Sequence, residues 1–201
     1  MLQIKKTEYF SKWYDKLKDA RARAKINLRI EQVKLGNFGD FKFVDEGIYE
    51  MRVHYGPGYR IYYTKKDDVV VLLLAGGDKP TQQKDINMAK ELNNEKSDAE
   101  ISDLDVADLL KTEEDVKLFL EEALAENDPV LWQHAIGDAA RSIGMAKIAE
   151  SAGLNRESLY KALREDAHPR FDTIMRVLNA MGLKLCITPC VVAEKKALYR
   201  A

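Results

Sequence analysis

Cysteine, proline and long apolar runs are all scarce in this chain. Two cysteines among 201 residues, Cys186 and Cys190, are too few for a disulfide framework. That scarcity points to a reducing, cytoplasmic setting. Cys186-x3-Cys190 has no histidine or cysteine pair nearby to complete a zinc site, so no metal is expected. No apolar run approaches the roughly 18–20 residues that span a bilayer, so no membrane partner is expected. The longest run, Val69 to Ala75, reads as a buried strand. The first residues, MLQIKKTEYF, lack the apolar core of a signal peptide. Gly76-Gly77 precedes Asp78-Lys79 at the wrong spacing for a phosphate loop, and no dinucleotide glycine motif or internal repeat is present. No cofactor is expected.

What remains is an ordinary globular composition, 46% hydrophobic and 32% charged, with an uneven charge pattern behind a net charge of −1. Residues 1–95 carry 18 Lys/Arg against 14 Asp/Glu, residues 96–128 carry 3 against 12, and residues 129–201 carry 11 against 7. Two mildly basic regions thus flank an acidic one, which is either a solvated face or a strip that lies on a basic surface.

The apolar period divides the chain. Gln3 to Lys6 reads as a short strand. Tyr9, Phe10, Trp13 and Leu17 recur at helical spacing, and Ile26, Leu28, Ile30, Val33 and Leu35 suggest a second helix ended by Gly36-Asn37. Residues 41–45, 48–55, 59–64 and 69–75 are rich in β-branched and aromatic residues. Glu46-Gly47, Gly56-Pro57-Gly58 and Lys66-Asp67-Asp68 separate them as turns. Pro80 opens a closing helix to about Asn94. The expected topology is β-α-α-β-β-β-β-α, an antiparallel meander with flanking helices, in a domain over 1–95. Residues 96–104 read as a polar, acidic linker. Residues 105–188 read as an all-helical domain, with a terminal strand expected over 183–188, and residues 189–201 as a tail.

The most informative helical run is GMAKIAESAGLNRESLYKALRED, 144–166. Small Ala149 lets a second helix cross closely, Gly153 supplies a tight turn, Leu154 plugs the core and Asn155 caps the following helix. Leu159 and Leu163 face inward. Asn155, Arg156, Ser158, Tyr160, Lys161 and Arg164 are then placed to meet phosphates or base edges in a major groove. This is a helix-turn-helix pattern, and operator DNA is the expected partner. A module this small binds weakly alone, so a homodimer on a palindromic site is expected. Residues 105–185, with this run and the upstream LEEALAENDPVLWQHAIGDAARSIG, resemble the HigA-like, Xre-type family of addiction-module antidote proteins. The resemblance implies an autorepressor that neutralises a toxin encoded beside it.

In the first half, YEMRVHYGPGYRIYY (49–63) and VLLLAGGDKPTQQKDINMAKEL (71–92) resemble the HigB branch of the RelE/ParE toxin superfamily. That resemblance implies an α+β RelE-like fold and an mRNA interferase, an endoribonuclease acting on mRNA in the ribosome. Cleaving RNA through its own 2′-hydroxyl needs no metal; it needs the phosphate held, its developing charge stabilised and two proton transfers assisted. Arg52 and Arg60, on adjacent strands, can clamp a phosphate, or they can be structural partners of Asp45 or Glu50. Lys79 follows Gly76-Gly77 and can stabilise charge. His54 is either a proton carrier or a solvated strand residue, and Tyr59 either stacks on a base or packs in the turn. The closing helix offers no His or Tyr.

Together these readings give a toxin followed by its antitoxin in one chain. Asp115, Glu121 and Glu122 form the neutralising surface, expected to cover Arg52, Arg60 and Lys79 within one chain or between two. The rivals are a DNA-binding repressor with an inactive toxin-like half, an active ribonuclease with a docking helix pair, and a gyrase-targeting toxin.

Overall fold

Where the apolar period drops to two, four consecutive strands form: β2 (Phe41–Asp45), β3 (Ile48–Val53), β4 (Tyr59–Lys66) and β5 (Val70–Gly77). In the computed structural model these strands make an antiparallel meander. The structure describes residues 1–66, 70–94, 101–164 and 167–187. Asp67 and Asp68 of one expected turn, and the tail 189–201, lie outside the described residues. β1 (Gln3–Thr7) pairs in parallel with β5.

A sixth strand comes from an unexpected place. Ile101–Asp103 (β6), inside the stretch read as linker, pairs antiparallel with β1, giving the order β2-β3-β4-β5-β1-β6. Its register sets Lys5 opposite Asp103, and Gln3 donates to Asp103 at 3.0 Å.

Helices cover both faces of the sheet. α1 (Glu8–Asp15) is capped by the Thr7 hydroxyl and α2 (Ala20–Lys34) by Asp19. The face carrying Met51, Val53, Ile61 and Leu73 shares a core with Ile26, Leu28, Ile30 and Val33 of α2. The opposite face, with Ile48, Tyr62, Leu72 and Leu74, packs under Ala89 of α3 (Gln82–Asn94). Gly76 and Gly77, which follow the apolar run read as a strand, end β5 within the strand itself. A Cβ on Gly76 would stand 2.1 Å from the Trp13 indole, and one on Gly77 1.8 Å from the Asp85 carboxylate. Close packing, not a turn, fixes both glycines.

After β6 the chain is helical: a 3-10 turn at Val106–Leu109, α4 (Glu113–Ala125), α5 (Pro129–Ile143), α6 (Met145–Ser151), α7 (Arg156–Ala162) and α8 (Phe171–Ala180). Thr112 and Asp115 form a reciprocal capping box on α4, and Asp128 caps α5 ahead of Pro129. The expected terminal strand does not form over 183–187, and Thr188 lies outside the described residues. Leu183 and Leu185 pack against the helical core instead of pairing with a strand.

The helical region is not a separate bead. α2 buries Ala22, Ala24, Ile26, Leu28, Ile30 and Val33 on more than one side, leaving only a basic edge partly open. The sheet covers one side; α4 and α5 cover the other. Phe119 and Leu120 of α4 and Ala135 and Ile136 of α5 belong to the same continuous core as Ile30 and Leu73. Polar groups stitch this junction. Glu31 of α2, fully buried, faces His134 at 3.5 Å and Lys34 at 3.1 Å, and Asp138 of α5, 1% exposed, lies 4.0 Å from Lys34 and bonds Arg141. Burial, reinforced by the neighbouring Glu31 charge, holds the Asp138 carboxyl up at about 8. Against its burial, hydrogen bonds from His134 and Lys34 hold Glu31 below its ordinary value.

Candidate functional site

The β3–β4 hairpin sets Arg52 directly opposite Arg60 and Glu50 opposite Tyr62. Alternation puts these four side chains on one face, the face turned toward α3. Glu50, 1% exposed, is their common partner. It accepts from Arg52 Nε at 2.8 Å, from Gln82 Nε2 at 2.6 Å and from the Tyr62 hydroxyl at 3.4 Å, and lies 3.3 Å from Arg60 Nε. The hydrogen bond to Glu50 raises the Arg52 guanidinium above its ordinary range, and burial raises the Tyr62 hydroxyl. Of the two alternatives open from sequence, the arginines do take a structural partner, and it is Glu50, not Asp45.

The remaining residues of this group spread around the Gly-Pro-Gly turn. Arg60 Nη1 donates to the Gly58 carbonyl at 2.9 Å. Lys79, exposed in a 3-10 turn over Lys79–Thr81, borders the same glycine; a Cβ there would lie 4.0 Å from Lys79 Cβ. Tyr59 sets its ring edge-on to Trp13 at 6.4 Å, and burial raises its hydroxyl. His54 turns elsewhere. It is exposed and meets Asp40 at 2.6 Å, while Arg52 approaches the same Asp40 at 3.8 Å. His54 and Arg52 line a cleft of about 360 Å³ between β3, α2 and α4.

Asp115, Glu121 and Glu122 of α4 do face the first half, but on a different surface from the one expected. Asp115 meets Arg23 at 2.6 Å, Glu121 meets Arg21 at 3.4 Å, and Glu122 meets Arg21 at 2.9 Å and Lys25 at 2.5 Å. All three partners lie on α2. Arg52 and Arg60 already share Glu50, whereas the basic edge of α2 has no carboxylate of its own helix within reach except Glu31, which Lys34 and His134 take. Sequence reading offered Glu50 as one of two partners for these arginines, but missed Asp40 beside Arg52 and His54 and Gln82 on Glu50. It also missed the α2 cations, although Arg21, Lys25 and Arg29 stand four apart, the spacing of one helix face.

A second group sits on the helical region. α6 and α7 are joined by a tight turn at Gly153, whose φ of 60° suits glycine. Arg176 of α8 clamps this turn, donating to the carbonyls of Ala152 and Gly153. Asn155 accepts from Glu157 N and caps α7, and Leu159 is fully buried. Asn155, Arg156, Ser158, Tyr160, Lys161 and Arg164 are all exposed, with Arg156 5.6 Å from the centre of the Tyr160 ring.

Among the described residues no helix is long and apolar enough to cross a membrane. No solved structure matches the chain. An uncharacterized protein of Haemophilus influenzae is 53% identical over 91 residues, covering 45% of this chain and 92% of that protein. A second uncharacterized protein of the same organism is 44% identical over 85 residues, 42% of this chain and 88% of that protein. The family described as "Probable addiction module antidote protein" matches residues 100–189, which supports a role in a toxin–antitoxin system. Through those residues the chain belongs to that family of addiction module antidote proteins.

Proposed function

We propose that the chain is a toxin–antitoxin module in a single polypeptide: a HigB-like mRNA interferase in the first half, restrained by a HigA-like antitoxin that also binds operator DNA. The observation that carries this reading is the docking of acidic α4 on basic α2 inside one chain whose second half belongs to the antidote family. Restraint therefore acts in cis. In the first half, Arg52 and Arg60 hold the scissile phosphate with Glu50 fixing their guanidinium groups, Lys79 adds positive charge beside the turn, and His54 and Tyr59 serve proton transfer and base stacking. In the second half, α6 and α7 form a helix-turn-helix. Arg156, Ser158, Tyr160, Lys161 and Arg164, with Asn155 at the cap, meet operator DNA, two copies binding a palindrome.

The test uses Glu121→Lys with Glu122→Lys in the full chain. Asp115 is left alone because it also holds the α4 capping box. Induction of this variant is expected to arrest growth, and adding Arg52→Ala with Arg60→Ala is expected to restore it. The tie between both arginines and Glu50 favours a second reading, a repressor whose toxin-like half is inactive. Unchanged growth with a normally accumulating variant selects that reading.

A further inference from the structure

Four cations of α2, namely Arg21, Arg23, Lys25 and Arg29, follow the edge of the first half that α4 covers. Three of them are held by Asp115, Glu121 and Glu122 at 2.5–3.4 Å. Gln32, one turn beyond Arg29, donates to Glu126 at 3.2 Å. Lys25 and Arg29 continue into the 360 Å³ cleft that also holds Arg52 and His54, with Glu122 and Glu126 on its far wall. The cations thus make a path from the start of α2 to the candidate catalytic arginine, and among the described residues the carboxylates that meet it from the helical region are Asp115, Glu121 and Glu122 of α4 and Glu126 at its C-terminal cap.

We propose that this path is a binding track for the phosphodiester backbone of single-stranded RNA, and that the α4 carboxylates occupy it as phosphate mimics. The inference rests on the ribonuclease reading above and adds the surface that delivers substrate. Guanidinium and ammonium groups four residues apart stand about 6 Å from one another along a helix, close to the spacing of successive phosphates in an extended strand. A carboxylate seated on such a group excludes a phosphate from the same donors. Arg29 has a further role: it donates to the Phe38 and Asp40 carbonyls and so fixes the loop that presents Asp40 to His54 and Arg52.

The experiment measures binding of a fluorescein-labelled oligouridine RNA to the full chain by anisotropy at low salt. Wild type is expected to bind weakly. Glu122→Gln with Glu126→Gln is expected to tighten binding at least tenfold and to steepen its salt dependence. Adding Lys25→Ala is expected to return affinity to the wild-type level. Glu126→Lys alone serves as a second variant, since Glu126 is exposed and its replacement leaves the core intact; it too is expected to bind more tightly. Wild-type affinity in both acid-removed proteins, or a gain insensitive to Lys25→Ala, overturns the track. Stripe-dependent RNA binding without growth arrest in cells keeps the track and removes the ribonuclease reading. Growth arrest without any gain in RNA binding removes the track and keeps that reading.

Discussion

Phe119 of α4 tests whether the two halves are one cooperative unit. Its ring is fully buried in the core that also contains Ile30 of α2 and Leu73 of β5. Truncating a buried phenylalanine to alanine costs about 3–5 kcal/mol through lost transfer energy and the cavity left behind. For a chain of this length each kcal/mol moves the melting temperature by roughly 2–4 °C, so Phe119→Ala is expected to lower Tm by about 6–20 °C. The chain has two tryptophans, and they fall one in each half: Trp13 wedged against Gly76, and Trp132 on α5 against the helical core. Labelling with 5-fluorotryptophan and following the two 19F resonances through a melt reads each half separately. If the core is shared, both lines collapse together and at the same lowered temperature. A Trp13 line that melts at the wild-type temperature while the Trp132 line shifts would refute the shared core.

Three further outcomes follow from particular contacts. Asp138 holds its proton up to about 8 in the folded chain and releases it at ordinary carboxyl values when unfolded, so its contribution is present at low pH and lost as pH rises through that range. Thermal melts should therefore show Tm falling between about pH 4 and pH 8, and Asp138→Asn, which keeps an acceptor for Arg141 and a donor for Glu31, should flatten that slope. Gly77→Ala drives a methyl group into Asp85 and Gly76→Ala drives one into Trp13; each should cost about 1–3 kcal/mol by overpacking, measured by urea unfolding. Arg156→Ala with Lys161→Ala should weaken binding to the chain's own promoter DNA by roughly tenfold or more and reduce the salt slope by about two, read by gel shift across a salt series; unchanged affinity would place DNA contacts elsewhere.

The first ninety residues were legible because each element has its own period and its own punctuation. Met51 and Val53 alternate with Glu50 and Arg52, and Gly56-Pro57-Gly58 breaks the strands where the structure breaks them. Asn155 and Thr112 announce helix starts by side-chain chemistry that acts within three residues. What was not legible depends on partners distant in sequence. Ile101-Ser102-Asp103 is short and exposed, and only the open edge of β1 makes it a strand. Leu183 to Ile187 has strand-like composition, but among the described residues no strand pairs with it. The acidic strip was plain in the sequence, but its target was not, because charge alone does not say which of 18 basic residues in the first 95 it meets. Arg52 and Arg60 were singled out from adjacent strands, and the hairpin's pairing decides between Asp45 and Glu50 as their partner.

In the proposed function, α4 restrains a ribonuclease across α2. Mapping the 5′ ends of cellular mRNA after induction of the full chain tests this most directly. With Glu121→Lys and Glu122→Lys, new internal 5′ ends are expected within messages, absent in wild type and absent again when Arg52 and Arg60 are both alanine. Intact messages in the charge-reversed protein, at wild-type abundance and with the α2–α4 contact shown to be open, would contradict it.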